Sequence, residues 1–191
     1  MSAIYTGAPN ASYSNAPQIG ALWTPYFSPP DFLPYQFNAG VTYSQVAGYP
    51  LANRANYYPI VFHSDVNIDT FFIVNGNTTS GNICFAIADS AGTRKLTTGS
   101  TAMTGSANAI QNYSVTATHF TAGLYFLCLS IDNTTATPAR FTTTFNTPIM
   151  ITEFAYQEAS AFPVPSTISF ATANATGQIY FIGCKSTLLP G

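Results

Sequence analysis

The stretch Gly123-Leu124-Tyr125-Phe126-Leu127-Cys128-Leu129, followed by Ser130 and Asp132, decides the fold. No apolar run of the chain is longer than residues 124–129, which is far shorter than the ~20 residues with which a helix spans a bilayer. A short apolar run bounded by turn residues is typical of a strand that is buried on both faces. We therefore expect a central β-strand here and no membrane-spanning segment.

Similar short runs follow one another from Tyr57 onwards, and no helical period of useful length interrupts them. Turn-forming residues separate the runs, as in Asn75-Gly76-Asn77, Asp89-Ser90-Ala91-Gly92 and Asn133-Thr134-Thr135. The expected strands are Tyr57–His63, Ile68–Asn75, Ile83–Ala88, Arg94–Thr98, Ile110–Thr116, Gly123–Ile131, Ala139–Phe145, Ile149–Gln157, Thr167–Ala171 and Gln178–Gly183. This pattern predicts an all-β fold, an antiparallel, jelly-roll-like β-sandwich over residues 56–191.

Residues 1–55 have a different composition and are expected to form an irregular, extended arm. Proline, which removes a backbone donor and interrupts helices and central strands, is concentrated there. Large aromatic side chains are also frequent, and such side chains dominate the energetics of protein interfaces. The candidate interface residues are Trp23, Tyr26, Phe27, Phe32, Tyr35 and Phe37. They either contact neighbouring subunits or fold back over the sandwich of their own chain.

Ionised side chains are scarce throughout the sequence. Only 6% of the residues are charged, with 5 Lys plus Arg and 7 Asp plus Glu, against about a quarter in ordinary soluble proteins. Nucleic acid binding requires clustered Lys and Arg, so the net charge of −2 argues against a nucleic acid partner. A surface with so few charges is either covered by Ser, Thr, Asn and Gln or buried against other subunits, and we favour a component of an assembly.

The three cysteines, Cys84, Cys128 and Cys184, lie in apolar runs and are widely spaced. They do not follow the Cys-x-x-Cys spacing of metal sites. Buried free thiols are the preferred interpretation, and a Cys84–Cys128 disulfide is the main alternative.

Few residues are suited to catalysis or to metal binding. His63 and Asp65 would share one strand face, with Asp69 close in sequence, but Asp65 and Asp69 are better explained as caps of the turn between two strands. His119 has no acidic residue or cysteine near it in sequence, and Glu153 and Glu158 are predicted on opposite faces of a strand. No phosphate loop, nucleophile elbow or zinc motif is present, so we expect no enzymatic activity and no cofactor or metal.

Four segments of residues 57–131 together resemble a β-sandwich module of structural proteins in tailed bacteriophages. These segments are Tyr57-Tyr58-Pro59-Ile60-Val61-Phe62, Ile68-Asp69-Thr70-Phe71-Phe72-Ile73-Val74, Ile83-Cys84-Phe85-Ala86-Ile87-Ala88-Asp89-Ser90-Ala91-Gly92 and Phe120-Thr121-Ala122-Gly123-Leu124-Tyr125-Phe126-Leu127-Cys128-Leu129. They are similar to the family's opening strand, its strand with an early Asp, its hairpin with an acidic turn, and its Gly-led aromatic strand. Each segment alone is common in all-β folds, and the order of the four carries the resemblance.

The resemblance implies a non-enzymatic virion protein that forms an oligomer, often a homotrimer, and is assembled in the cytoplasm of a host bacterium. A chain of this size without a long shaft fits a capsid decoration or cement protein, with the major capsid protein or other virion proteins as partners. The alternative is a head or tail fibre protein that binds a host receptor or a surface glycan.

Overall fold

The computed structural model describes residues 31–32, 43–62, 64–141, 156–172 and 179–187, and these residues contain strands and no helix. None of them therefore belongs to a helix that could cross a membrane. The strands are β1 (Asp31–Phe32), β2 (Tyr43–Ser44), β3 (Arg54–Phe62), β4 (Val66–Val74), β5 (Asn82–Asp89), β6 (Arg94–Thr97), β7 (Thr101–Ala102), β8 (Ile110–Phe120), β9 (Gly123–Ile131), β10 (Arg140–Phe141), β11 (Tyr156–Glu158) and β12 (Ile182–Thr187).

The strands form two main antiparallel sheets in two layers. One sheet has four strands in the order β1-β12-β4-β8. The other has six strands, in the order β11-β3-β9-β5-β6 with β7 beside β5. A short ladder joins β10 to β2. The predicted all-β fold and antiparallel sandwich are confirmed.

Strand β9 lies inside the six-stranded sheet and pairs with β3 on one side and β5 on the other. Leu127, Leu129 and Ile131 point into the core between the sheets, while Phe126 and Cys128 belong to a second apolar cluster on the opposite face. Both faces of β9 are thus covered, which explains why its apolar run is almost uninterrupted.

The core between the sheets is built around aromatic rings. Phe85 of β5 stacks on Phe71 of β4 with ring centroids 5.5 Å apart and an interplanar angle of 10°. Tyr113 of β8 packs against the same Phe85 ring at 5.3 Å. Since β5 belongs to the six-stranded sheet and β4 and β8 to the four-stranded sheet, Phe85 joins the two layers.

Large and small side chains alternate along β5. Its large residues Ile83, Phe85 and Ile87 face the core, whereas Cys84, Ala86 and Ala88 face outwards. The small outward residues leave room for residues 156–172, which cover this face with Ala161, Val164 and Ile168. Arg94 of β6 holds this covering segment by donating hydrogen bonds from its side chain to the Val164 carbonyl and from its backbone to the Ser166 carbonyl.

The strand predicted at Thr167–Ala171 is wrong. Thr167 makes only an isolated bridge to Thr93. The Ile168 N–H donates to the Gly92 carbonyl, and the Ser169 N–H donates to the Glu158 carboxylate. The backbone groups of this segment are therefore satisfied by separate turn and side-chain partners and not by a regular ladder.

Other strand boundaries also differ from expectation. Strand β8 is longer than the predicted Ile110–Thr116, and β12 begins four residues after the start of the predicted Gln178–Gly183. Only the ends of the predicted strands Ala139–Phe145 and Ile149–Gln157 lie within the described residues, as β10 and β11. Strands β1, β2 and β7 were not predicted, because two-residue strands have no periodicity to detect.

All three cysteines are buried free thiols, so the preferred interpretation is confirmed and the Cys84–Cys128 disulfide is not formed. The Cα partner of Cys84 is Ser130, and that of Cys128 is Ala86. Burial raises the pKa of the Cys128 thiol, which keeps it protonated and unreactive.

Tyr113 leads to a prediction on stability. Its hydroxyl is buried without a hydrogen-bond partner in the described part of the chain, and burial raises its pKa. An unsatisfied buried hydroxyl destabilises a fold, so Tyr113→Phe is expected to raise the free energy of unfolding by about 1 kcal/mol. Urea denaturation followed by circular dichroism measures the change. A lower free energy of unfolding would show that the hydroxyl has a partner.

Candidate interaction surface

Of the predicted interface residues, the structure describes only Phe32. Trp23, Tyr26, Phe27, Tyr35 and Phe37 lie outside the described residues. Phe32 belongs to β1, where its Cα lies opposite that of Cys184 in β12, and Asp31 lies opposite Lys185. This part of the arm therefore adds a short strand to the edge of the four-stranded sheet. The predicted boundary between an arm of residues 1–55 and a domain of residues 56–191 stays a prediction.

Tyr49 anchors the last part of the predicted arm in the sandwich. Its side chain is 1% exposed, and its ring lies 5.4 Å from that of Tyr180. The hydroxyl donates to the Arg54 carbonyl at 2.8 Å and accepts a hydrogen bond from Asn56 Nδ2 at 2.6 Å. Burial is the main reason why the pKa of Tyr49 is raised well above its usual value. Sequence reasoning missed this residue, because one core tyrosine in a proline-rich segment carries no periodic signal.

A loop network holds the backbone of Tyr49. Its N–H donates to the carbonyl of Ala136 at 2.8 Å. The Ala136 N–H in turn donates to Asn133 Oδ1, and Asn133 Nδ2 donates to Asp132 Oδ1. Asp132 also accepts hydrogen bonds from the backbone and the side chain of Asn82. The predicted turn at residues 133–135 thus connects Tyr49 of the arm to the start of β5.

Hydrogen bonds determine the charge state of Asp132. Partial desolvation by itself would raise the pKa of its carboxyl group. Hydrogen bonds from the Asn133 side chain and from the backbone and side chain of Asn82 outweigh this effect and lower the pKa below its usual value. The ionised carboxylate is therefore the form that stabilises the loop.

Exposed apolar side chains lie at both ends of the sandwich. Val46 is 69% exposed and Leu51 42% exposed, close to the Tyr49 anchor. At the other end, Val61 and Leu124 are opposite each other on β3 and β9, and are 49% and 46% exposed. Both spots are small, and in monomeric proteins single exposed apolar residues are ordinary.

Asp65 was predicted to cap the β3–β4 turn, and the structure shows it at another turn. Its Oδ1 accepts a hydrogen bond from the Ala122 N–H at 3.0 Å, so it caps the β8–β9 turn. Its Oδ2 lies 3.5 Å from Nε2 of His119, and both side chains are about half exposed. Only the tertiary structure could reveal this pair, because 54 positions separate the two residues.

The other residues considered for catalysis or metal binding either make structural hydrogen bonds or lie outside the described residues. Asp69 Oδ1 accepts a hydrogen bond from the Thr70 hydroxyl. The Glu158 carboxylate accepts a hydrogen bond from the Tyr57 hydroxyl at 2.7 Å and another from the Ser169 N–H. His63 and Glu153 lie outside the described residues. Within the described ranges, no group of three or more His, Cys, Asp or Glu side chains is placed to hold a metal ion.

In comparisons with known proteins, no family model, no curated protein and no solved structure matches this chain.

The Tyr49 anchor predicts the effect of removing one hydroxyl. Tyr49→Phe leaves the amide of Asn56, which is 1% exposed, without its acceptor. We expect the free energy of unfolding to fall by about 1–2 kcal/mol in urea denaturation. Tyr113→Phe is the matched control, since it removes a hydroxyl that has no such partner. Equal effects of the two substitutions would contradict the role of Tyr49 as an anchor.

The Asp132 network predicts a dependence of stability on pH. A carboxyl whose pKa is lower in the folded protein stabilises the fold above its unfolded pKa, and this contribution is lost as pH falls through the folded pKa. At pH 7 we expect Asp132→Asn to lower the free energy of unfolding by about 1 kcal/mol, a value reduced for solvent screening. The difference from the natural protein should shrink below about pH 4. Urea denaturation at pH 7 and pH 3 tests this, and a difference independent of pH would contradict it.

Proposed function

We propose that this chain is a non-enzymatic structural protein of a tailed bacteriophage virion, a capsid decoration or cement protein that stabilises the particle. It self-associates, as a homotrimer, and contacts the major capsid protein or other virion proteins. It reaches the virion during assembly in the host bacterial cytoplasm. The resemblance of residues 57–131 points to the virion, and the attachment of the aromatic arm to the sandwich at β1 and at Tyr49 supports a role in assembly.

Anchoring gives the arm a defined origin. Asp31 and Phe32 pair with β12, so the thirty residues before them are attached at the edge of the four-stranded sheet. An extended chain reaches about 3.3 Å per residue, so these residues can reach a neighbouring subunit. Because their attachment point is already ordered, less conformational entropy is lost when they bind than for a free peptide.

The residues of the arm suit a contact between proteins. Trp23, Tyr26, Phe27, Phe32, Tyr35 and Phe37 supply large rigid rings, and Tyr and Trp keep a polar group for the rim of an interface. With 6% charged residues, the chain also loses little ion solvation when it is covered. A total buried area of about 1,600 Å² with a partner suffices for stable attachment.

A truncation of the arm tests the proposal. Deletion of residues 1–30 retains β1, β2 and the buried Tyr49, so the fold is expected to remain intact. A deletion that also removed Tyr49 would confuse loss of binding with loss of stability. We expect the truncated protein to fail to attach to particles assembled without this chain, in a co-sedimentation measurement.

Two arm variants refine the same test. Trp23→Ala combined with Tyr26→Ala and Phe27→Ala should weaken attachment at least about tenfold, since large aromatic residues dominate interface energetics. The matched control combines Ser12→Ala, Ser14→Ala and Asn15→Ala, which change polar residues of the same segment. Full attachment of the truncated chain would overturn the role of the arm. Binding to host cells with inhibition of infection, without attachment to particles, would instead support the receptor- or glycan-binding fibre protein.

A further inference from the structure

Strand β8 forms one edge of the four-stranded sheet. It runs over 11 residues from Ile110 to Phe120 and pairs with β4 on one side. No strand in the described part of the chain pairs with its other side. Such an edge presents backbone N–H and C=O groups that can bind a further strand.

Two hydrogen bonds define which backbone groups point outwards. The Val74 N–H donates to the Phe181 carbonyl, away from β8, whereas the Asn75 N–H donates to the Ala109 carbonyl, towards β8. Peptide groups of successive residues in a strand alternate between its two sides. On β8, Gln111 and Tyr113 therefore direct their backbone groups to β4, and Ile110, Asn112 and Ser114 direct theirs to the open side.

The edge lacks two features that often prevent strand addition, charged residues and proline. Residues 110–120 contain no Pro, Lys, Arg, Asp or Glu. The side chains of Asn112 and Ser114 are exposed and polar. The register with β4 shifts between Ile68 and Thr70, so the regular part of the edge is Ile110–Ser114.

We propose that the Ile110–Ser114 edge pairs with the same edge of a second copy of this chain. In an antiparallel pair centred on Asn112, each outward residue faces another outward residue, with Ile110 opposite Ser114 of the second copy. A pair centred on Ile110 or Ser114 would match fewer of these groups. A second copy is the occupant because the segment is uncharged and complementary to itself, so two identical edges meet without repulsion.

This contact joins two four-stranded sheets into one continuous sheet across a two-fold axis. It goes beyond the proposed function, because it concerns copies in solution and does not involve the arm or the particle. Pairing about a two-fold axis gives dimers, or links between other oligomers.

Charge exchange at Asn112 tests the contact. In the proposed pair, residue 112 of one copy faces residue 112 of the other, so Asn112→Lys or Asn112→Asp alone places like charges opposite each other. We expect each variant to raise the dissociation constant of the full chain at least about tenfold in sedimentation velocity. An equimolar mixture of the two variants should restore association, because it places opposite charges face to face.

Ser90→Lys is the matched control, since Ser90 is exposed in the turn between β5 and β6, two strands of the other sheet. It should leave the dissociation constant unchanged. Urea denaturation of each variant establishes that it is folded, as expected for substitutions of exposed side chains. A monomeric natural protein, association that both Asn112 variants retain, or a mixture of folded variants that does not reassociate would overturn the proposal.

Discussion

The packing of Phe85 against Phe71 and Tyr113 holds the two sheets face to face, and the remaining structure depends on this contact. An antiparallel sheet in water must bury at least one apolar face, and here each sheet supplies the surface that buries the other. The aromatic rings fill the space between the layers because each buries a large apolar area. The six-stranded sheet also needs a cover for its second face, since both faces of β9 carry apolar side chains.

That second face explains the irregular segment 159–172, which follows β11. Small residues at the outward positions of β5 allow this segment to lie close to the sheet, and Arg94 binds its carbonyl groups. The segment does not need a regular ladder, because turns and side chains satisfy its polar groups one by one. A cover of this kind buries apolar surface while it leaves the strand order of the sheet unchanged.

The scarcity of charged residues has consequences at the Ile110–Ser114 edge and at the arm. Proteins often protect an edge strand with charged residues or proline, and the Ile110–Ser114 edge has neither. The arm is attached to the sandwich at two places, through the β1–β12 ladder and through the hydrogen bonds of Tyr49. A surface with few charges, an edge strand without a second partner among the described strands and an anchored aromatic arm are suited to assembly, and these features are the physical basis of both proposals.

The sequence by itself determined the strands with a clear pattern. The apolar run of β9, the other short apolar runs after Tyr57 and turns such as Asp89–Gly92 predict an all-β sandwich, because these signals are local properties of the chain. The burial of the cysteines followed from their apolar neighbours. Tertiary structure alone decided that β8 has no second partner among the described strands, that Tyr49 of the arm enters the core, and that Asp65 caps the β8–β9 turn near His119. These features join residues far apart in sequence, and their hydrogen bonds leave no local pattern from which they could be predicted.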